Sequence, residues 1–247
     1  CRKSSKSKPR AISPMNSSML ASARSPVSLD SKSELVSLLE ERARRARRNR
    51  LATYRPYTKQ REFHDAGTEH RERLLMAGNQ LGKTFSGAAE VAYHLTGLYP
   101  PWWAGRRFDN PTRWWAGSKT GEVTRDGVQR LLVGEPKDES KWGEGFIPGD
   151  LLVDWSRRQG VPDALDSVLV KHVSGETSTL GFKSYDQGRE KWQGETLDGV
   201  WFDEEPPQDI YMEGLTRTNA TGGVVFLTFT PLLGMSGVVS MFLGDTV

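Results

Sequence analysis

An α/β fold, with a largely parallel sheet flanked by helices, is what this 247-residue sequence predicts. Three observations carry it. Short, near-continuous apolar runs recur along the chain and alternate with segments of helical character, the pattern of strands buried on both faces. One run, Leu74-Leu75-Met76-Ala77, passes through a Gly-containing turn directly into a helix. Another, Gly199-Val200-Trp201-Phe202, ends in the acidic triplet Asp203-Glu204-Glu205. With 36% apolar and 26% charged residues the chain has the balance of a folded domain, and its length gives ample material for a core.

Composition also excludes classes of function. The single cysteine, Cys1, rules out an intrachain disulfide framework and a cysteine-rich zinc site. The longest nearly apolar run, Val224 to Leu233, is too short to span a bilayer and is interrupted by Thr228, Thr230 and Pro231, so no membrane partner is expected. No apolar segment of the secretory kind follows the basic residues 1–14. Charge is split unevenly: residues 1–61 hold 16 Lys and Arg against 4 Asp and Glu, whereas residues 62–247 hold 18 against 27. The basic character therefore belongs to the N-terminal quarter.

In chain order, residues 1–28, rich in Ser, Lys, Arg and Pro, read as a disordered basic leader. Ser31 and Glu34 form a capping-box pattern before Leu35, Val36, Leu38 and Leu39, so residues 29–53 are expected as a helical arm. It carries six arginines between Arg42 and Arg50. Two readings stand for these: a solvated helix face, or an electrostatic arm for nucleic acid or an acidic partner. The domain proper is expected over residues 54–247. Its elements are a strand at Leu74–Ala77, a helix from Thr84 to Leu95, a strand at Trp114–Ala116 and a helix from about Gly121 to Val133. A hairpin of Val168–Val173 and Thr177–Ser184 turns at Ser174-Gly175. Strands at Gly199–Phe202 and Val224–Phe229 follow. The pairs Trp102-Trp103 and Trp114-Trp115 read as packing residues, since no basic residues are regularly interleaved with them.

The segment Ala77-Gly78-Asn79-Gln80-Leu81-Gly82-Lys83-Thr84 has the arrangement that phosphate binding needs. Backbone N–H groups from Gln80 to Thr84 face an anion, helped by the helix dipole. Lys83 neutralises phosphate charge and the Thr84 hydroxyl is a Mg²⁺ ligand, which predicts a P-loop NTPase-type sheet that takes ATP. Ala77 stands where the strict pattern has Gly. In a parallel sheet the C-terminal end of the Gly199–Phe202 strand lies beside that loop, placing Asp203 to hold Mg²⁺ and Glu204 to polarise water; acidic capping of the following helix is the alternative for Glu205. Upstream, Pro56 and Gln60 lie in a segment suited to reading an adenine edge. Downstream, the hydroxyls of Thr228 and Thr230 are expected at the γ-phosphate or Glu204, with strand termination by Pro231 as the alternative.

In this order, Pro56…Gln60, Asn79-Gln80-Leu81-Gly82-Lys83-Thr84, Trp192-Gln193-Gly194, Phe202-Asp203-Glu204 and Thr230-Pro231, the set resembles the ATPase domain of the large terminase subunit of tailed bacteriophages, over roughly Tyr54 to Gly234. The resemblance implies a Mg-ATP-driven motor, assembled as a pentameric ring on the portal protein, that pumps double-stranded DNA into a procapsid in the host bacterial cytoplasm, with a small terminase subunit as a further partner. It implies that Pro56, Gln60, Gly78, Asn79, Gln80, Leu81, Gly82, Lys83 and Thr84 contact nucleotide, with Thr228 and Thr230 as the coupling element. It also implies an RNase H-like nuclease after the Thr-Pro element. With only 13 residues after Gly234, the chain is expected to be the motor domain alone. Some family members carry an arginine in the phosphate loop where this chain has Asn79. Arg125 is the expected substitute, acting on a neighbouring subunit's nucleotide, with Arg130 as second choice; pairing with Glu122 is the alternative for Arg125. Two other functions share much of the motif order: a helicase-like nucleic-acid-dependent ATPase, and an ATP-gated assembly factor that does not translocate.

Overall fold

The computed structural model describes residues 29–230 and 237–244; the leader expected over residues 1–28 lies outside them. Helix α1, Leu29–Arg47, carries the arginine run into its last turn. Contacts divide the chain after Arg42, not after residue 53 as expected. The reason is Leu51, on the short helix α2 (Arg50–Thr53), which is buried in the main core together with Tyr54. The Arg48 carbonyl also accepts from the Gly149 N–H. Residues 48–53 therefore belong to the body of the domain.

That body is built on one seven-stranded sheet. Its strands are β1 (Glu72–Met76), β2 (Arg113–Ser118), β3 (Leu152–Arg157), β4 (Leu165–Lys171), β5 (Thr177–Ser184), β6 (Gly199–Asp203) and β7 (Val224–Phe229). Their order is β1-β7-β6-β2-β5-β4-β3. The first five in that order run parallel, so they deliver their C-terminal ends to one edge. β4 and β3 continue antiparallel. The sequence does not predict β3. All but one of its residues are exposed, so no buried face imprints an alternation on it.

Central strands are apolar on both faces, and their period of two sorts the side chains. Trp201, Val224 and Phe226 face one core together with helix α4, Lys83–Thr96. Val200, Phe202, Val225, Leu227 and Phe229 face the other, against α7 (Gln208–Arg217) and α8 (Gly237–Leu243). α4 is rich in small residues because it lies flat on the sheet. At Gly87 a Cβ would come within 2.6 Å of the Trp201 indole, so only glycine admits this approach. The helix expected from Gly121 to Val133 forms as α5 (Gly121–Val123), a π-helical turn Thr124–Gln129, and α6 (Arg130–Leu132).

Behind α4 sits a buried charged cluster. The Glu90 carboxylate accepts from Arg73 of β1, from His64 Nδ1 at 2.8 Å and from His94 Nε2 at 3.4 Å. Burial alone would push the carboxyl up; Arg73 and the two imidazoles outweigh it and hold Glu90 well below the usual range. The Tyr54 hydroxyl meets His64 Nε2 at 3.0 Å. This cluster locks α3, Thr58–Asp65, which carries His64, against α4.

Candidate nucleotide site

The chain after β1 enters the phosphate loop with two residues in the left-handed region, Gln80 at φ 61° and Gly82 at φ 76°. Such alternation turns successive N–H groups toward one concavity. Lys83 is buried, and its Nζ donates to the Gly78 carbonyl at 2.7 Å across the loop. Leu81 projects outward, 59% exposed. Pro56 is half-buried just before α3. Gln60, three residues into the capping box of that helix, uses both ends of its amide: Oε1 accepts from Tyr57 N–H at 2.9 Å, and Nε2 donates to the Gly82 carbonyl at 3.0 Å. Gln60 thus grips the phosphate loop itself, a role that sequence reasoning does not assign to it.

Two strands away, β6 brings Asp203 to the same edge. Asp203 is 5% exposed. Burial pushes its carboxyl up to about 7, against the lowering effect of hydrogen bonds from Thr228 and Thr84 and of the Lys83 charge, and with the neighbouring Glu204 charge adding to the rise. Residues 119 positions apart are thereby brought to one edge: the phosphate-loop hydroxyl of Thr84 and the carboxyl of Asp203 lie close enough for Thr84 to lower the Asp203 titration. Hard oxygen donors of this kind beside a phosphate loop suit a divalent cation such as Mg²⁺. Glu204 is partly exposed and sits at φ 66°. Its N–H donates to the Thr228 carbonyl at 2.9 Å and its carbonyl accepts from Tyr185 Oη at 2.8 Å. Glu205 provides no cap for α7, whose N-cap Pro207 has no side-chain cap bond.

Thr228 departs from expectation. Its hydroxyl is buried, accepts from Trp201 Nε1 at 2.8 Å and donates to Asp203 Oδ1 at 2.9 Å. Parallel register sets Thr228 beside Asp203, so the side chain serves the aspartate, and only the backbone of Thr228 meets Glu204. Thr230, by contrast, donates to Asn79 Oδ1 at 2.9 Å and so ties the end of β7 to the phosphate loop. Arg125 lies in the π-helical turn, where Asp126 clasps it at 2.7 and 2.9 Å and the Pro162 carbonyl accepts from it at 2.9 Å. The sequence offers Glu122 as a partner for Arg125; the observed partner is Asp126, because the side chain runs toward the loop after β3. The same turn borders the acidic strand, since a Cβ on Gly127 would stand 3.9 Å from Asp203 Oδ2. Arg130 pairs with Glu135 at 2.8 Å. Beside the loop opens a cavity of about 780 Å³ lined by Tyr57, Gln60, Met76, Leu81, Lys83 and Phe242 among others, within the size range of small-ligand pockets.

A phosphate loop leading from an edge strand into a buried helix, with an acidic strand two positions away on the same parallel edge, defines an α/β domain of the P-loop type. The sequence matches the family described as terminase large subunit, T4likevirus-type, N-terminal, over residues 74–246. This chain belongs to that family. It is 48% identical over 227 residues to the terminase large subunit of Salmonella phage P22, covering 85% of this chain and 46% of that protein. It is 30% identical over 233 residues to the terminase large subunit of Enterobacteria phage LP7, covering 85% of this chain and 47% of that protein. The chain thus spans about half the length of these relatives. Among solved structures, the HK97 bacteriophage large terminase aligns at a TM-score of 0.48 with 15% identity, over 72% of this chain and 33% of that one. The large terminase from a thermophilic bacteriophage, in complex with ATP-gamma-S, aligns at 0.45 with 14% identity, over 71% and 38%.

Proposed function

We propose that this chain is the Mg-ATP-hydrolysing motor part of a DNA-packaging terminase. It drives double-stranded DNA through a portal protein into a procapsid as a homo-oligomeric, pentameric ring, together with a small terminase subunit, docked transiently on the procapsid in the host bacterial cytoplasm. Residues 54–247, extended by the packed residues 48–53, serve as its ATPase domain. The observation that carries this reading is the convergence of Lys83, Thr84, Asp203 and Glu204 on one sheet edge, with the Asp203 carboxylate buried beside the phosphate loop. Membership of the terminase large-subunit family and the arginine-rich α1 support the DNA-directed part of it.

In this reading the loop N–H groups and Lys83 bind the β- and γ-phosphates. Thr84 and Asp203 hold the metal, which when bound supplies charge neutralisation at the phosphates. Glu204, partly exposed at the end of β6, orients and polarises the attacking water. Asn79 and Thr230 link the loop to β7, so that a change at the phosphates is felt in the chain that follows. Hydrolysis assays with and without portal and DNA test the proposal. Mg²⁺-dependent ATP turnover stimulated by both partners is expected. Tight ATP binding with no turnover, even with portal and DNA supplied, would favour the gated assembly factor instead.

A further inference from the structure

β5 pairs in parallel with β2, matching Ser184 to Ser118, so its C-terminal end reaches the same edge as the acidic strand. There the chain folds into a 3₁₀ turn, Tyr185–Gln187, closed by the reciprocal bonds of Ser184 and Gln187. The turn swings the Tyr185 ring under the neighbouring strands, where it packs 5.9 Å from Trp192 and 6.1 Å from Phe202. Trp192 in turn stacks on Phe202 at 5.1 Å and 24°. The ring is therefore seated on the strand that ends in Asp203-Glu204. Its hydroxyl lies 2.9 Å from the Asp203 carbonyl, 2.8 Å from the Glu204 carbonyl and 3.3 Å from the Gly117 carbonyl. A single phenolic proton is shared among backbone acceptors that include two consecutive residues.

Those two residues need such a restraint. Glu204 is one of three non-glycine residues with positive φ among the described residues, a left-handed conformation that the Cβ of an L-residue disfavours. Left to itself the peptide would relax and re-aim the carboxylate. Here the peptide N–H of Glu204 is held by the Thr228 carbonyl and its C=O by Tyr185.

From this geometry we infer that Tyr185 is a positioning residue for Glu204: its hydroxyl fixes the left-handed backbone turn that aims the Glu204 carboxylate at the site of water attack. The inference rests on the reading of Glu204 as the water-polarising group.

The test is single-turnover and steady-state ATP hydrolysis by the full chain, with nucleotide binding measured separately. Tyr185→Phe keeps the ring packing and removes the donor. It is expected to lower kcat about tenfold while KM for ATP stays within twofold. In a Glu204→Gln background the same change is expected to add no further loss. Should Tyr185→Phe not fold, 4-aminophenylalanine and 4-fluorophenylalanine at position 185 carry the comparison, because they are similar in size and only the first donates; kcat is expected to hold only with the amine. A Tyr185→Phe kcat within twofold of wild type, beside an inactive Glu204→Gln, overturns the positioning role, as do equal rates for the two analogues. Full hydrolysis by Glu204→Gln overturns the reading of Glu204 itself, whatever Tyr185→Phe does.

Discussion

Asp203→Asn is expected to gain stability relative to the wild type, in the metal-free protein, as pH rises from 4 to 8. The group is 5% exposed and its carboxyl is pushed up to about 7, first by burial. In the unfolded chain an aspartate titrates near 3.9. Between those values the folded state keeps a proton that the unfolded chain has lost, so stability falls as pH rises, by up to about 1.4 kcal/mol per pH unit. Across a window of about three units the wild type gives up about 4 kcal/mol, a large share of the 5–15 kcal/mol typical of a domain. An asparagine does not titrate, and its amide oxygen still accepts from Thr228. Whatever constant offset the amide introduces, the wild-type and variant curves should diverge with pH.

Urea unfolding in EDTA from pH 4 to pH 8.5 measures this directly. The difference curve isolates Asp203, because the other carboxylates are common to both proteins. The functional counterpart is read by adding Mg²⁺ and ATP at pH 8: wild type regains stability by mass action, while Asp203→Asn gains much less. Curves that stay parallel from pH 4 to pH 8 would refute the account of Asp203 as a carboxylate held out of water for a cation. That result would reduce its bond to Thr228 to ordinary packing.

Four other outcomes are expected of the site and its surroundings. Lys83→Ala should abolish ATP binding, whereas Glu204→Gln should bind Mg-ATP normally and lose turnover, which equilibrium binding and product release separate. Glu90→Gln strands the buried Arg73 guanidinium and should cost about 3–5 kcal/mol in urea unfolding. Because the Glu90 carboxyl is held low, its contribution in the wild type is present above the unfolded carboxylate range and lost as pH falls through the folded value. Arg125→Ala should leave hydrolysis by the isolated chain within about twofold and slow the assembled ring by about 10³-fold or more, the scale of an inserted arginine; an unchanged assembled rate would confine Arg125 to its clasp with Asp126 and Pro162. Deleting residues 1–42 should flatten the dependence of log DNA affinity on log salt with basal ATPase unchanged, and an identical slope would assign those charges to solvation.

What is legible in the sequence, and what is not, divides along one physical line. The phosphate loop, the acidic end of β6 and the strands on either side are legible because each is encoded within a few consecutive residues, by glycine placement and by unbroken apolar runs. The partners of those residues are encoded by register. Thr228 reads as a phosphate contact because nothing local tells which face of β7 it occupies; pairing of Asp203 with Thr228 turns it inward. Gln60 reads toward the base, and its grip on Gly82 closes over 22 residues. Glu90 meets Arg73 and His64 only because α4 lies against β1 and α3. Tyr185 gives no sequence signal at all, since its importance depends on β5 being two strands from β6 on a parallel edge. β3 escapes for the opposite reason: it has too little burial to write a pattern. The motif residues of this domain are thus set locally, while their hydrogen-bond partners come from distant segments. A substitution such as Tyr185→Phe is therefore expected to alter catalysis while leaving every recognisable motif intact.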